Sequence, residues 1–396
     1  MAARIPPAIW ALGFVSLLMD VSSEMIHSLL PVFLVTGLGA SALTVGLIEG
    51  AAEATALIVK VFSGVLSDWL GRRKPLAVAG YGLGALSKPL FALATGSGLV
   101  LAARLIDRVG KGIRGAPRDA LVADLAPAEV RGAAFGLRQA LDTVGAFLGP
   151  LLAMGLMLAW ADDFRAVFWV AIVPGLAAVA LLALGVREPE ASGPRRAVNP
   201  IRRDSLRRLP AAYWWVVAIG GVFMLARFSE AFLVLRARQA GLSVAFAPLV
   251  LIAMNVVYAL AAYPFGRLAD RVDHRRLLLM ALTVLLAADA ALAINGHWAL
   301  VWAGIGLWGL HLAMTQGLLA TMIADVAPAD LRGTAYGFFN LVSGIVLLPA
   351  SGLAGFLWDR YGAPVTFLAG AGFCAVAALA VIASRSAGCR SSSSPG

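Results

Sequence analysis

Apolar runs long enough to cross a bilayer recur about every 30 residues along nearly the whole chain, and that recurrence leaves few folds open. Counting runs separated by polar, Gly or Pro breaks gives twelve, at roughly 8–36, 43–67, 76–95, 98–123, 132–160, 165–186, 212–238, 244–268, 276–295, 298–324, 333–357 and 364–384. Of the 396 residues 60% are hydrophobic and only 14% charged, with a mean hydropathy of +0.85. The pattern predicts an all-α integral membrane protein of twelve transmembrane helices and leaves no stretch for a soluble catalytic domain.

The net charge of +10 would suggest nucleic acid on a soluble surface. Here the basic residues sit mostly in alternate loops, so no nucleic-acid partner is expected. With the N-terminus inside, cytoplasmic segments hold nineteen: Arg4, Arg72, Arg73, Lys74, Arg131, seven arginines from Arg187 to Arg208, Arg267, Arg271, Arg275, Arg276, Arg332, Arg385 and Arg390. The opposite loops hold four, Arg165, Arg236, Arg238 and Arg360, so both termini are expected in the cytoplasm. Arg4 precedes an apolar segment too long for a signal sequence and without a small-residue cleavage site, which predicts a retained first span. Arg outnumbers Lys 28 to 4, a usage that points to GC-rich bacterial coding and hence to the bacterial cytoplasmic (inner) membrane. Cys374 and Cys389 offer no metal-ligand spacing and no expected disulfide, and no cofactor is expected.

An internal repeat sets the organisation. Asp124-Leu-Ala-Pro127-Ala-Glu129-Val-Arg131-Gly132-Ala-Ala-Phe-Gly136 returns 201 residues later as Asp325-Val-Ala-Pro328-Ala-Asp330-Leu-Arg332-Gly333-Thr-Ala-Tyr-Gly337. Gly64-Val-Leu-Ser-Asp68-Trp-Leu-Gly71-Arg72-Arg73-Lys74 returns at an offset of 202 as Gly266-Arg-Leu-Ala-Asp270-Arg-Val-Asp273-His274-Arg275-Arg276. Ser23-Glu24 and Ser229-Glu230 form a weaker match. The expected organisation is two six-helix pseudo-symmetric halves, residues 1–186 and 211–385, joined by an Arg- and Pro-rich cytoplasmic linker at 187–210 and followed by a disordered tail at 386–396.

The Gly64 to Lys74 stretch, between the second and third spans, matches Gly-x-x-x-Asp-x-x-Gly-Arg-Arg/Lys, and on that motif the sequence resembles the major facilitator superfamily over nearly its whole length. The second copy keeps Gly266, Asp270, Arg275 and Arg276 but has Asp273 in place of the glycine. The resemblance implies a major facilitator fold and a conformational latch of Gly64, Asp68, Gly71, Arg72 and Arg73, with Asp270 and Arg275 in the second copy. Asp68 would meet the positive end of span eleven and hold the outward-open state. Gly145-Ala-Phe-Leu-Gly149-Pro150 in span five is similar to a Gly-x-x-x-Gly-Pro motif frequent in the family's exporters; it offers a close-packing face and a proline bend, and leans the reading towards efflux. The charge-rich run from Gly110 to Leu121 departs from the usual drug exporters and resembles a poorly characterised prokaryotic branch.

Span four is where charge enters the apolar background. Arg104, Asp107, Arg108, Lys111, Arg114 and Arg118 fall within an arc of about 120° at 100° per residue. Each costs about 2.5–3.5 kcal/mol near the bilayer centre if it faces lipid, so the stripe must face other helices or water. It is either an ion-pair network, with Arg104–Asp107 and Asp107–Lys111 as helix neighbours, or the lining of a solute path. In the family fold spans one, four, seven and ten line the central cavity. Candidates for the substrate and proton pathway are therefore Asp20, Glu24 and His27 in span one, Glu49 and Glu53 in span two, the span-four residues Arg104, Asp107, Arg108 and Lys111, Arg138 and Asp142 in span five, and Arg227 and Glu230 on one face of span seven. Lys88 is expected to pair inside the first half, His311 to be a hydrogen-bonded helix residue, and Asp289 receives no role.

No Gly-x-x-x-x-Gly-Lys-Ser/Thr loop occurs, so direct drive by ATP is not expected. The expected function is secondary transport, proton-coupled efflux of a small organic solute, anionic or zwitterionic, by a monomer in the lipid bilayer. Solute uptake by symport, or divalent-cation transport through the acids of spans one and two, are alternatives; the adjacent Arg and Lys residues argue against the cation. No nucleophile–base pair or output domain supports a membrane enzyme or a signalling scaffold.

Overall fold

The computed structural model of the chain describes residues 5–70, 72–188, 203–269, 271–295, 297–315, 317–328 and 331–390, with backbone alone at 64, 65, 68–70, 203 and 384–390. The described residues form helices and no strands. The principal helices are α1 (Pro7–His27), α2 (Ala42–Leu70), α3 (Lys74–Ala92), α4 (Ser97–Leu125), α5 (Arg131–Ala159), α6 (Phe164–Gly185), α7 (Ala211–Ala226), α8 (Ala231–Gln239), α9 (Pro248–Ala269), α10 (His274–Ala293), α11 (Trp298–Thr315), α12 (Leu318–Val326), α13 (Arg332–Tyr361) and α14 (Ala363–Arg390).

Local chemistry sets several boundaries. Pro7 and Pro75 open α1 and α3, where the missing N–H costs nothing. Asp163 caps α6 by accepting from the N–H groups of Arg165 and Ala166 at 3.0 and 3.1 Å, after a turn in which Ala161 and Asp162 take positive φ. Asp273, the residue that breaks the second copy of the signature, caps α10 by accepting from the Arg275 N–H at 2.7 Å. The last helix runs through Arg390, so residues 386–390, expected in the tail, are helical; no proline or glycine–proline pair stops the apolar helix earlier.

Ten segments among the described residues are long and apolar enough to cross a membrane. One of them, Ala211–Gln239, joins α7 and α8 across a non-helical interruption. The remaining expected spans, α3 and α4, are helical and 19 and 29 residues long, but too polar to count among the ten.

The chain forms two compact units. The first comprises residues 1–40, 51–200 and 243–252, the second 41–50, 201–242 and 253–396. In the first, α1 packs on α5 and α6, and α3 packs on α4 and α6. The helices approach closely because small residues line the crossings. A methyl group on Gly145 would lie 2.5 Å from the Leu17 carbonyl oxygen, one on Gly149 2.8 Å from that of Val21, and one on Gly110 2.5 Å from that of Gly80. Ile9, Leu12, Val15, Tyr81, Leu121 and Leu182 fill the core beside these crossings. In the second unit α10 packs on α11 and α14, and α7 on α13 and α14. Its core is aromatic: Phe228, Phe232, Trp308, Trp358 and Phe367 interlock with ring centroids 5.5–6.1 Å apart.

Candidate functional site

The charged stripe of α4 faces the inside of the first unit and sorts into two layers. In the inner layer Lys88 of α3 donates to Asp107 at 2.7 Å and to the Ser23 hydroxyl at 3.0 Å. Asp107 also meets Arg108 Nε at 3.5 Å and Arg104 at 4.0 Å. Exposure of these four side chains is only 2% to 4%. Lys88 thus pairs inside its own unit, as its position in an apolar span required. Of the two pairs that helix spacing allows, Arg104–Asp107 is present at 4.0 Å and Asp107–Lys111 is not: Lys88 reaches Asp107 from a neighbouring helix, and Lys111 is exposed.

The outer layer is partly open. Glu53 of α2 lies 3.3 Å from Arg108 and 4.0 Å from Arg104. Asp20 lies 3.8 Å from Arg114, and Glu24 takes His27 as a partner at 3.3 Å. Asp142 of α5 lies 3.8 Å from Arg118 and 3.7 Å from Arg138. These four carboxylates are 21% to 37% exposed. Lys111, with Glu53, Asp20 and Glu24 as the acids acting on it, stands among them. The first unit therefore buries three cations around Asp107 and displays, beside them, four partly exposed acids, each within 4 Å of a basic side chain. A buried charge stripped of its partner is costly, and the cost is greatest for the inner layer, whose side chains are the least exposed.

Two residues of this site, Tyr81 and Asp119, escaped the sequence reading. Arg114 lies over the Tyr81 ring, 4.7 Å from its centroid. Asp119 lies 3.1 Å from Arg118 and 3.6 Å from Arg138, tying α4 to α5. Tyr81 gave no signal, being one aromatic in an apolar span; Asp119 lies one residue beyond the stripe.

Glu49 is buried in the second unit, whose residues 41–50 are the first turns of α2. In the same unit Arg227 and Glu230 do not share a helix face as expected. They bound a non-helical break between α7 and α8. The break is held by serines: the Ser351 hydroxyl accepts from the Ser229 N–H, and the Ser229 hydroxyl from the Ala231 N–H, each at 3.2 Å. Such substitutes for lost helix bonds let a span unwind inside a membrane. His311 is buried and places Nδ1 2.8 Å from the Ala281 carbonyl oxygen.

The side chains of Gly64 and Asp68, and residues Gly71 and Asp270 entirely, lie outside the described residues. Arg72 is exposed. Arg73 pairs with Asp124 and donates to the Ala120 carbonyl at 2.8 Å, while Lys74 donates to the Ala183 carbonyl at 2.7 Å. The second unit repeats this wiring at an offset of 201 residues, with His274 3.0 Å from Asp325 and Arg275 donating to the Ile382 carbonyl at 2.7 Å. The first aspartate of the duplicated Asp-x-Ala-Pro motif is thus, in each unit, the partner of the base that opens the third helix of the repeat. Among the described residues no three His, Cys, Asp or Glu side chains are grouped to hold a metal ion.

Comparison with known proteins bears on the family and the fold. The model of the Major Facilitator Superfamily matches residues 12–254 and 228–393. An uncharacterized MFS-type transporter of Methanocaldococcus jannaschii is 33% identical over 370 residues, covering 91% of each chain. Multidrug resistance protein MdtH of Photorhabdus laumondii is 26% identical over 87% of this chain and 84% of its own. Among solved structures, the nucleoside transporter NupG superposes with a TM-score of 0.79 at 13% identity, covering 96% of this chain and 99% of that one. The chain is a multi-pass membrane protein that belongs to the Major Facilitator Superfamily, a family of transporters and not of enzymes.

Proposed function

We propose that the protein is a secondary transporter that exports a small anionic or zwitterionic organic solute in exchange for protons by alternating access. The observation that carries this reading is the layering of charge in the first unit: a fully buried cluster of Lys88, Asp107, Arg104 and Arg108 behind partly exposed Asp20, Glu24, Glu53, Lys111 and Asp142. Here acids that can carry a proton stand beside cations that can hold a solute's negative group, and each can serve as the other's substitute partner. The kinship with a multidrug resistance protein supports the outward direction.

In this reading α3 and α4 join the ten apolar segments as spans, making twelve, in two halves at 1–186 and 211–385 with a cytoplasmic linker between them. Both termini lie in the cytoplasm of a bacterium, the inner membrane is the address, and one chain is the working unit. Asp68, Arg72 and Arg73, with Asp270 and Arg275, form the cytoplasmic latch. The two glycines and the proline of Gly145-x-x-x-Gly149-Pro150 serve as a packing surface against α1.

The test is a comparison of metabolite pools in cells making the wild type and in cells carrying the empty vector. The proposal expects one or a few acidic or zwitterionic metabolites to be depleted inside and enriched outside only with the wild type. Identical pools in both strains, or depletion of cations alone, would overturn it.

A further inference from the structure

Asp289 sits in α10 with no exposed surface, and neither carboxylate oxygen has a hydrogen-bond partner among the described residues. Its surroundings are close-packed. A methyl group on Gly370 of α14 would lie 2.6 Å from Asp289 Oδ2 and 3.0 Å from Phe228 Cε1. Phe228 belongs to the non-helical break between α7 and α8, and its ring meets Trp308 at 5.5 Å and Phe367 at 5.7 Å. Two more buried polar atoms without a partner among the described residues belong to α11, Trp308 Nε1 and His311 Nε2.

The titratable and charged groups around this pocket are few. Cys374 of α14 and His311 of α11 are the titratable side chains of the helices packed on α10, and Arg227 and Glu230 are the charged residues at the two ends of the break that holds Phe228. On α12, Asp325 is taken by His274, and the other charges of α10, Arg275 and Arg276, lie about four turns away at its start. An ionised carboxylate with no partner in such an aromatic setting is strongly disfavoured, whereas a neutral carboxyl is tolerated. A metal cation would need several oxygen ligands around it. Among the described residues no three His, Cys, Asp or Glu side chains are grouped to supply them, and a proton needs only one oxygen.

We propose that Asp289 is a proton-binding site of the second unit and that its occupancy governs the packing of Phe228, and through it the break at Arg227–Glu230. The site deepens the proposed proton coupling and rests on that reading only for the use made of the proton.

The experiment is infrared difference spectroscopy of the purified full-length protein in lipid, titrated from acid to alkaline pH in H₂O and D₂O. A neutral-carboxyl C=O band that shifts in D₂O, is lost on alkalinisation, disappears in Asp289→Asn and moves in frequency in Asp289→Glu is the expected result. Wild-type and Asp289→Asn spectra that coincide, or a band that neither shifts in D₂O nor responds to pH, would overturn the site. Should Asp289→Asn not fold, an unchanged band frequency in Asp289→Glu overturns it equally. Coupling to the break is read from the same titration in tryptophan emission. The component lost in Trp308→Phe should change with pH in the wild type and stay constant in Asp289→Asn; a constant component in both would remove the link to Phe228. None of these readings needs a solute or a gradient, so a failure of pH-driven transport would strike the proposed function and leave this site standing.

Discussion

The carboxylate of Asp359, at the end of α13, accepts hydrogen bonds from the backbone N–H groups of Ala42 and Leu43 at 2.9 and 2.8 Å, and so caps the start of α2 across 317 residues of chain. Three close approaches continue the seam inside the second unit: a methyl group on Gly355 would lie 2.4 Å from the Ala42 carbonyl oxygen, one on Gly46 2.1 Å from that of Ser351, and one on Gly50 3.1 Å from that of Leu348. A negative group at a helix N-terminus with two N–H donors contributes about 0.5–2 kcal/mol. Asp359→Ala should therefore lower the thermal unfolding midpoint of the purified protein, and Asp359→Asn, which keeps an acceptor but loses the charge, should lower it less. Equal midpoints for wild type and Asp359→Ala would show that water replaces the cap without loss.

The inner cluster predicts strong coupling between Lys88 and Asp107. Removing one partner leaves the other charged and buried, a loss of about 3–5 kcal/mol for a pair of this kind. Lys88→Gln and Asp107→Asn should each reduce the yield of monodisperse protein sharply. The double variant should lose less than the sum of the two, while Arg104 and Arg108 still lack Asp107. Additive losses in the double variant would mean that the two side chains act independently in spite of their 2.7 Å contact.

Gly145 and Gly149 bring α5 against the α1 backbone, so size alone should set the effect of substitution there. Gly145→Val, forced against the Leu17 carbonyl, should destabilise by about 1–3 kcal/mol or more, read as a lower unfolding midpoint and lower membrane abundance. Gly155, on the same helix with nothing within 4 Å of a built methyl group, is the control, and Gly155→Ala should change neither. Matching behaviour at 145 and 155 would contradict the packing role.

The wiring at the start of α3 and α10 predicts that the repeat is functional at the level of pairs. Arg73→Ala and Asp124→Ala should impair transport to a similar degree, and the charge-swapped Arg73→Asp/Asp124→Arg variant should restore part of it. His274→Ala and Asp325→Ala should behave alike in the second unit. Transport by Asp124→Ala equal to wild type at matched abundance would make the Arg73 contact a mere topology anchor.

Much of this was readable from residue order, and the parts that were not have a common cause. Apolar length and the twofold motif foretold the helices, and helical spacing placed Arg104, Asp107, Arg108, Lys111, Arg114 and Arg118 on one face. Periodicity within one helix cannot say which neighbour supplies the counter-charge. Asp107 therefore looked like the partner of Lys111, its helix neighbour, whereas Lys88 comes from α3. The break at Arg227–Glu230 carries neither Gly nor Pro, the usual signals; it depends on the Ser351 hydroxyl, which the chain supplies 122 residues later. The Asp359 cap was invisible for the same reason. Asp289 was visible as an acid in an apolar run, but only packing could reveal that no base answers it among the described residues.

Asp20 and Glu24 lie one turn apart on α1, both in the exposed layer. Asp20 answers to Arg114 at 3.8 Å and Glu24 to His27 at 3.3 Å. These are different partners on different helices, so a movement of α4 that withdraws Arg114 changes the charge balance at Asp20 while Glu24 keeps its neighbour on α1. A carboxylate that loses a cation at that depth takes up a proton, and the return of the cation expels it. Asp20→Asn should therefore abolish solute accumulation driven by a pH gradient in vesicles and retain solute exchange, which needs no net proton movement. Glu24→Gln should weaken pH-driven accumulation less if His27 stays in place, and Glu24→Gln/His27→Gln should separate the proton role from the pair. Full pH-driven accumulation in Asp20→Asn and in the Asp20→Asn/Glu24→Gln double variant would exclude both as the carrier and turn attention to Glu230 in the break of the second unit.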